Sequence, residues 1–355
     1  MSVRGILAIA LVAALGVPAT SARSATPGAT SPLCGKAAAS TPGLPGVPAT
    51  AKVATFNLLH GLTDDGHRTL NARLTIATNQ LAASGADIIG LQEVEESTKH
   101  GRVIARLAKG LAAKTDATWY WCWFRTEPHW PFAPDTYPGG GDPLSDQLAA
   151  HYNPNETKWY QGSAVLSHWP ITASAVRRLP GEDVRRRFTG DCKPPFQDPT
   201  CVLAVLLEPR AAVWARIASP FGSLSLTSAH TSGNVLQHAA LMHWARQQSE
   251  QDSTAFVVCD CNSTPSSKAQ AEIRRRYWID TALAMHAVGP TSDQDIGATA
   301  PTVTTRIDYI FLRPGSALKL TDSRLFMNTP AISTTEPSGR LWPSDHYGVI
   351  DTFEP

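Results

Sequence analysis

After Val17 the chain contains no apolar run approaching the roughly 20 residues that a helix needs to cross a bilayer. A helical membrane protein is thereby excluded, and the mature chain is expected to be soluble. It also lacks an excess of charge of either sign, since 31 Lys and Arg stand against 30 Asp and Glu, a formal +1. Composition therefore neither demands nor forbids a polyanionic partner. Two basic runs, Arg185-Arg186-Arg187 and Arg274-Arg275-Arg276, read as exposed helix faces or loops rather than as phosphate grips. There is no internal repeat of useful period. No second cysteine pair at finger spacing accompanies Cys259 and Cys261, which disfavours a zinc module.

What is present begins with "MSVRGILAIALVAALGVPATSARSA": Arg4, an apolar run from Ile6 to Val17 too short to span a bilayer, and small residues around Ala22. This reads as a signal peptide over residues 1–22, and a cut after Ala25 would place Arg23 where a small residue is wanted. A secreted, extracellular protein follows. Residues 23–51 are Ala, Thr, Ser, Pro and Gly in loose order and read as a flexible linker. Residues 52–355 remain for one domain, expected as a monomer. All six cysteines lie beyond the cleavage site, in a compartment where disulfides persist. Cys192 and Cys201 bracket the Pro-rich "KPPFQDPT" and are the expected pair. Cys259 and Cys261 stand two apart in an apparent strand, where a bridge would strain the backbone. Each is expected to pair elsewhere or to remain a buried thiol.

From residue 52 on, strands alternate with helices. "KVATFNLL" and "DIIGLQEV" read as strands, and "RTLNARLTIATNQLAAS" as a helix with Leu70, Leu74, Ala77 and Leu81 on one face. "GRVIARLAKGLAAK" is a second helix, with others near 235–248 and 267–276. "SAVLSH", "CVLAVLLE", "AVWARIA", "SLSLTSA", "AFVVCDC" and "RIDYIFL" supply further strands. Recurring strands point to packed sheets with helices outside. Between Trp119 and Tyr160 the pattern breaks, and the stretch reads as a long excursion that is either functional or a satellite aromatic core.

Several strands carry residues that a strand would not choose for stability. Asn57 interrupts an apolar run, Gln92-Glu93 ends one strand, and His230 ends another. Asp260 and Asn262 close "AFVVCDCN", Asp308 sits among apolar neighbours, and Asp345-His346 precedes the last strand. A buried amide or carboxylate costs free energy unless it is partnered. Two apart on an extended chain, Asp260 and Asn262 project to one side, whereas the adjacent Asp345 and His346 project to opposite sides. Carboxylates and amide oxygens without clustered thiolates suit hard cations such as Mg²⁺ or Mn²⁺.

The motifs "TFNLLHG", "LQEVE", "SAVLSHWPI", "SAHTSG", "CDCNSTP", "RIDYIF" and "SDHYGV" occur in the order and approximate spacing of the endonuclease/exonuclease/phosphatase superfamily, which includes DNase I. The chain from residue 52 to 355 resembles that family. The resemblance implies a four-layer α/β sandwich, two β-sheets face to face with helices outside, and an active site where the strands of both sheets end. It implies Glu93 as principal metal ligand, with Asn57 and Asp345 holding the ion or its waters; Mg²⁺ is expected, with Mn²⁺ or Ca²⁺ as alternatives. It further implies His346 as general base with Asp308 as its partner, and Asp260 and Asn262 as the pair orienting nucleophile and phosphate. His230 is the second histidine, and Arg210 matches an arginine near the phosphate in some branches. This chain departs from the usual Gly-Asp-Phe-Asn with Cys259-Asp260-Cys261-Asn262, and from the usual Asn before Thr-His with Ser228-Ala229-His230. The expected activity is metal-dependent hydrolysis of a phosphodiester in nucleic acid. A sphingomyelinase-like activity on a phospholipid headgroup, an inositol-phosphate phosphatase, and a binding module on an inactive nuclease scaffold are the alternatives.

Overall fold

The computed structural model describes residues 31–38, 48–60, 64–97, 99–128, 159–180, 183–189, 202–208, 210–287 and 289–355. The signal peptide over 1–22, the Cys192/Cys201 pair and the middle of the aromatic excursion lie outside the described residues. The first part of the chain forms β1 (Leu33–Ala37), β2 (Ala51–Asn57), α1 (Asp64–Ser84), β3 (Ile88–Ser97), β4 (Gly101–Arg102), α2 (Val103–Thr115), β5 (Trp119–Pro128) and β6 (Trp159–Ser167). Next come β7 (Ile171–Arg178), β8 (Asp183–Thr189), β9 (Val202–Glu208), β10 (Ala211–Ser219), β11 (Gly222–His230), α3 (Val235–Gln248) and β12 (Thr254–Asp260). The last part forms α4 (Lys268–Arg275), β13 (Ile279–Asp280), α5 (Thr281–Ala284), β14 (Asp308–Leu312), β15 (Lys319–Phe326), β16 (Ala331–Ile332), β17 (Arg340–Leu341) and β18 (Gly348–Glu354). No helix among the described residues is long and apolar enough to cross a membrane.

One sheet has the order β1-β5-β6-β3-β2-β18-β15, with β4 paired to β3, and the other the order β13-β14-β12-β11-β10-β7. Three apolar cores separate four layers. Leu70, Leu74, Ala77 and Leu81 of α1 and Ile104, Leu107 and Leu111 of α2 cover the outer face of the first sheet. Val53, Ile88 and Val165 of the first sheet meet Val213, Leu226, Phe256, Val258 and Ile310 of the second. Leu241 and Trp244 of α3 and Ile273 of α4 close the outer face of the second sheet over Val257, Tyr309 and Phe311. Each such large side chain contributes roughly 1.5–3 kcal/mol on burial. The α/β sandwich implied by the motifs is therefore the fold.

Strand parity explains the position of the polar residues. In β12, Phe256 and Val258 face the other sheet, so Asp260 continues the inward series. By the same alternation Asn57 follows Val53 and Thr55, His230 follows Leu224 and Leu226, and Asp308 precedes Ile310 and Leu312. The polar ends of these inward rows meet at one rim. Gly90 sets the approach of the sheets there: a Cβ on it would stand 2.1 Å from Val258 Cγ2.

Four expectations change. Leu33–Ala37, read as linker, is an edge strand pairing with β5, and a Cys34–Cys122 disulfide joins directly opposed residues across that pair. Trp119–Pro128 and Trp159–Ser167, the ends of the supposed excursion, are paired antiparallel strands. Their sequence shows no polar alternation because β5 is buried on both faces, with Trp121 and Trp123 toward the helices and Cys122 and Phe124 toward the other sheet. Arg185–Arg187 lies in β8, which pairs with β9 outside the two main sheets rather than forming a helix face or loop. Cys259 and Cys261 are bridged to each other. Their Cα atoms stand 5.0 Å apart, within disulfide reach, and the strand ends at Asp260 instead of continuing extended. The run Arg274–Arg276 does end a helix, where Arg275 and Arg276 pair with Glu272.

The inward row of β18 also contains Asp351, fully buried between Val349 and Phe353. Burial pushes its carboxyl up to about 7, against the opposing influence of the Ser323 and Thr281 hydroxyls. An acid that binds its proton more tightly when folded is most favourable below its unfolded pKa, near 4, and loses stability as pH rises toward 7. Asp351→Asn should therefore raise stability at pH 8 by up to ~4 kcal/mol and leave it little changed at pH 4. Urea unfolding at the two pH values checks this, and a gain of equal size at both would refute it.

Candidate active site

The first sheet delivers Asn57 and Glu93. A β-bulge between Leu91 and Val94 breaks the register of β3 with β6, and Glu93 takes a left-handed φ of 53°. Strict alternation would send Glu93 to the helical face with Leu91. The bulge turns it to the rim instead, as bulges beside active sites commonly do. Its preceding neighbour Gln92 ties the two sheets by donating to Ser228 Oγ at 3.2 Å. Asn57 Nδ2 donates to Glu93 Oε1 at 3.0 Å and to Asp260 Oδ2 at 2.9 Å, and its Oδ1 accepts from Leu59 N at 3.0 Å. Asn57, expected among the metal ligands, thus turns its donor to both carboxylates and uses its oxygen on the backbone. It orients the carboxylates from behind. His60 N donates to Glu93 Oε2 at 3.2 Å, and its ring Nε2 lies 3.4 Å from the same oxygen.

The second sheet contributes His230, Asp260 and Asn262. His230 Nε2 stands 3.3 Å from Asp260 Oδ2, and its Nδ1 4.0 Å from Glu93 Oε1. Asn262 reaches Asp260's side by a turn and not by strand alternation. It adopts φ 46°, its N–H donates to Asp260 Oδ1 at 3.0 Å, and its amide nitrogen lies 2.9 Å from His230 Nε2 and 2.8 Å from Thr231 O.

His346 comes from the loop before β18. Its Nδ1 lies 2.9 Å from Asp308 Oδ2, and its Nε2 faces Asp260 Oδ2 at 3.8 Å and Asp345 Oδ1 at 3.9 Å. Asp345 and His346 therefore share one side of the loop, where an extended chain would have separated them. Ser344 is the cause: its Oγ donates to Asp345 Oδ1 at 3.1 Å and accepts from His346 N at 3.2 Å. Asp308 N donates to Thr291 Oγ1 at 3.1 Å, and Tyr347 N to Thr291 O at 2.7 Å.

Arg73 on α1, fully buried, holds two of these loops together. Its guanidinium donates to Leu58 O at 2.7 Å, Leu59 O at 2.8 Å and Pro343 O at 3.3 Å. Burial lowers its pKa to about 10, with Asp345, Glu95 and Glu93 opposing, so it remains a cation at neutral pH. Arg73→Met strands those carbonyls and should cost on the order of 2–4 kcal/mol. Denaturant unfolding tests this, and an unchanged midpoint would remove Arg73 as the tie between the loops.

The resulting cleft, about 320 Å³, is lined by His60, Glu93, Gln161, Arg210, His230, Asp260, Asn262, Asp293, Asp345 and His346 among others. Of the residues expected from the sequence, seven line it, while Asn57 and Asp308 lie behind Glu93 and His346. Burial works against the Glu93 carboxylate, but His60, His230, Asn57 and His346 outweigh it and hold the group well below its usual range. Burial and the nearby Asp308 charge push Asp260 up to about 7. Burial also disfavours the His346 cation, yet Asp308, Asp345 and Asp260 together raise its pKa well above normal. The cleft thus combines a firmly ionised carboxylate with an acid whose pKa is raised and an imidazole whose protonated form is favoured. Glu93, His230 and Asp260 bring ligand atoms within 4.8 Å of one another, and Asp345 adds a further oxygen donor beside them. This predominantly carboxylate set fits a hard divalent cation.

Sequence reasoning missed three contributors. His60 lies within the quoted "TFNLLHG" but had no partner until β3 folded beside it. Arg73 looks like an ordinary helix arginine. Asp293, at φ 76°, reaches the cleft from an irregular loop and is held by Thr304 Oγ1 at 2.6 Å.

No curated protein sequence matches the chain. Among solved structures, a family protein from Leptotrichia buccalis C-1013-b superposes with TM-score 0.56 at 17% identity, covering 86% of this chain and 100% of that one. A mannosyl-6-phosphatase from Bacteroides thetaiotaomicron VPI-5482 gives 0.56 at 15% identity, covering 85% and 99%. D. rerio TDP2 complexed with a single-strand DNA product gives 0.52 at 14% identity, covering 87% and 100%. At such identities the likeness shows the fold alone. The sequence pattern of the Endonuclease/Exonuclease/phosphatase family, however, matches residues 54–346, a span that begins in β2 and ends on His346 itself. With the sandwich and the convergent rim as its setting, that match over most of the chain makes this protein a member of the endonuclease/exonuclease/phosphatase family.

Proposed function

We propose that this protein is a secreted, divalent-metal-dependent phosphodiester hydrolase of the nuclease kind. The observation that carries the reading is the His346 imidazole, backed by buried Asp308 at 2.9 Å and aimed at Asp260 beside the ionised Glu93. A divalent cation held by Glu93 and Asp345 would supply charge neutralisation at a phosphoryl oxygen. Once His346 has lost the proton that its carboxylate neighbours stabilise, Asp308 keeps the remaining one on Nδ1 and leaves Nε2 to take a proton from water. Asp260, with a pKa near neutrality, shares that proton. Asn262 and Asn57 hold the two Asp260 oxygens, so the carboxylate cannot rotate away. His230 and Arg210 line the same cleft and are placed to stabilise phosphoryl charge or protonate the leaving oxygen.

Export is supported by the N-terminal sequence and by the Cys34–Cys122 bridge. The TDP2 complex with single-strand DNA is the neighbour that favours nucleic acid, and the mannosyl-6-phosphatase is the one that favours a phosphomonoester. Purified protein incubated with plasmid DNA, sphingomyelin vesicles and a sugar phosphate, each with and without EDTA, separates these substrates. DNA cleavage that needs Mg²⁺ and falls steeply with salt is expected. Release of phosphate from the sugar ester, with intact plasmid, would overturn the nuclease assignment.

A further inference from the structure

We infer that the Cys259–Cys261 disulfide is a positioning device for Asp260 and Asn262, an inference that rests on the hydrolase reading above. The usual motif carries Gly and Phe at these two positions, so the bridge distinguishes this chain. Asp260 is the last residue of β12 in register with both neighbours, opposite His230 of β11 and Asp308 of β14. Residues two apart in a regular strand stand roughly 6.6–6.8 Å from each other. Cys259 and Cys261 stand 5.0 Å apart. The chain is therefore drawn together around Asp260, and the strand stops there.

The contraction has a consequence in the cleft. It delivers Asn262 into the left-handed conformation from which its N–H turns back to Asp260 Oδ1 and its amide reaches His230. The backbone of Cys261 is anchored on both sides of its peptide: its N–H donates to Ile307 O at 2.9 Å, and its carbonyl accepts from Thr231 Oγ1 at 2.8 Å. His238 Nε2 lies 3.2 Å from the same carbonyl. Both sulfurs sit in the fully buried core under α3 and α4, on the face of the sheet away from the cleft. They cannot touch substrate. Their effect reaches the reaction only through Asp260 and Asn262, which makes the cysteines positioning residues. Displacing reacting groups by about 1 Å can cost 10²-fold in rate.

The test compares wild type with Cys259→Ala/Cys261→Ala and with the bulkier, β-branched pair Cys259→Val/Cys261→Val, which keeps the core filled if the alanine pair fails to fold. Cys34→Ala/Cys122→Ala serves as a control that loses a bridge at the β1–β5 edge of the other sheet. Loss of the 259–261 bridge should lower kcat on plasmid DNA 10-fold or more with KM within about 2-fold, whereas the control loses thermal stability and keeps kcat. In parallel, ring-nitrogen NMR resonances of His230 and His346 should shift in the 259–261 variants and not in the control. Unchanged kcat and unchanged resonances in a folded variant would overturn the inference and reduce the bridge to core filling. If wild type hydrolyses nothing, the hydrolase reading fails, and the imidazole resonances alone still decide whether the bridge sets the geometry.

Discussion

His346→Ala should lower turnover by 10²-fold or more while the protein remains folded, and Asp260→Ala should do the same. The two side chains face each other at 3.8 Å across the same cleft, and the proposed step uses both to move the proton of the attacking water, so losing either disables that relay. The stability effects should differ from the kinetic ones. His346→Ala strands Asp308, which is fully buried and bonded to the ring, and should cost ~1–3 kcal/mol. Rates under single-turnover conditions, taken with thermal melts, distinguish chemistry from unfolding. Near-normal turnover in either variant would remove that residue from the mechanism.

Glu93→Gln is the second large effect. The substitution keeps the size of the side chain but discards the charge that His60, His230 and His346 stabilise. Affinity for Mg²⁺, read by calorimetry, should fall on the order of 10²-fold or more, because even groups that only orient a metal ligand cost 10- to 100-fold when lost. Hydrolysis should fall in parallel and recover in part at high Mg²⁺. An unaltered Mg²⁺ dependence of both binding and rate would show that Glu93 does not hold the ion. His60→Ala offers a weaker version of the same experiment, since its backbone N–H bond to Glu93 survives the loss of the ring.

Much of the site was legible because polar residues in buried strands are costly. Asn57, His230, Asp260 and Asp308 each interrupt or end an apolar row, and the row's parity already directs them between the sheets. The other residues were harder to place because their positions depend on departures from regular strand geometry. Glu93 needed a bulge, Asn262 a left-handed turn, and Asp345 and His346 a serine that gathers both onto one side. Period-two reasoning assigns Asn262 the right side for the wrong reason and separates Asp345 from His346.

The same limit explains the errors in the fold. Cys259 and Cys261 seemed unable to bridge because they were placed on an extended strand, and the strand ends between them. Leu33–Ala37 resembled linker because its ordering comes from β5, with the Cys34–Cys122 bridge closing a separation of 88 residues. Trp119–Pro128 resembled a loop because burial on both faces erases alternation.

By itself, then, the sequence determined the family, many of the strands and helices between residues 52 and 355, and which polar side chains would share an interior between two sheets, because apolar periodicity is a local property of the chain. The tertiary structure alone decided the partners: Asn57 on Asp260 across 203 residues, His346 on Asp308 across 38, and Arg73 on the carbonyls of two distant loops. Such pairings depend on register, bulges and turn geometry, which are set when separate segments pack and leave no periodic trace in any one of them.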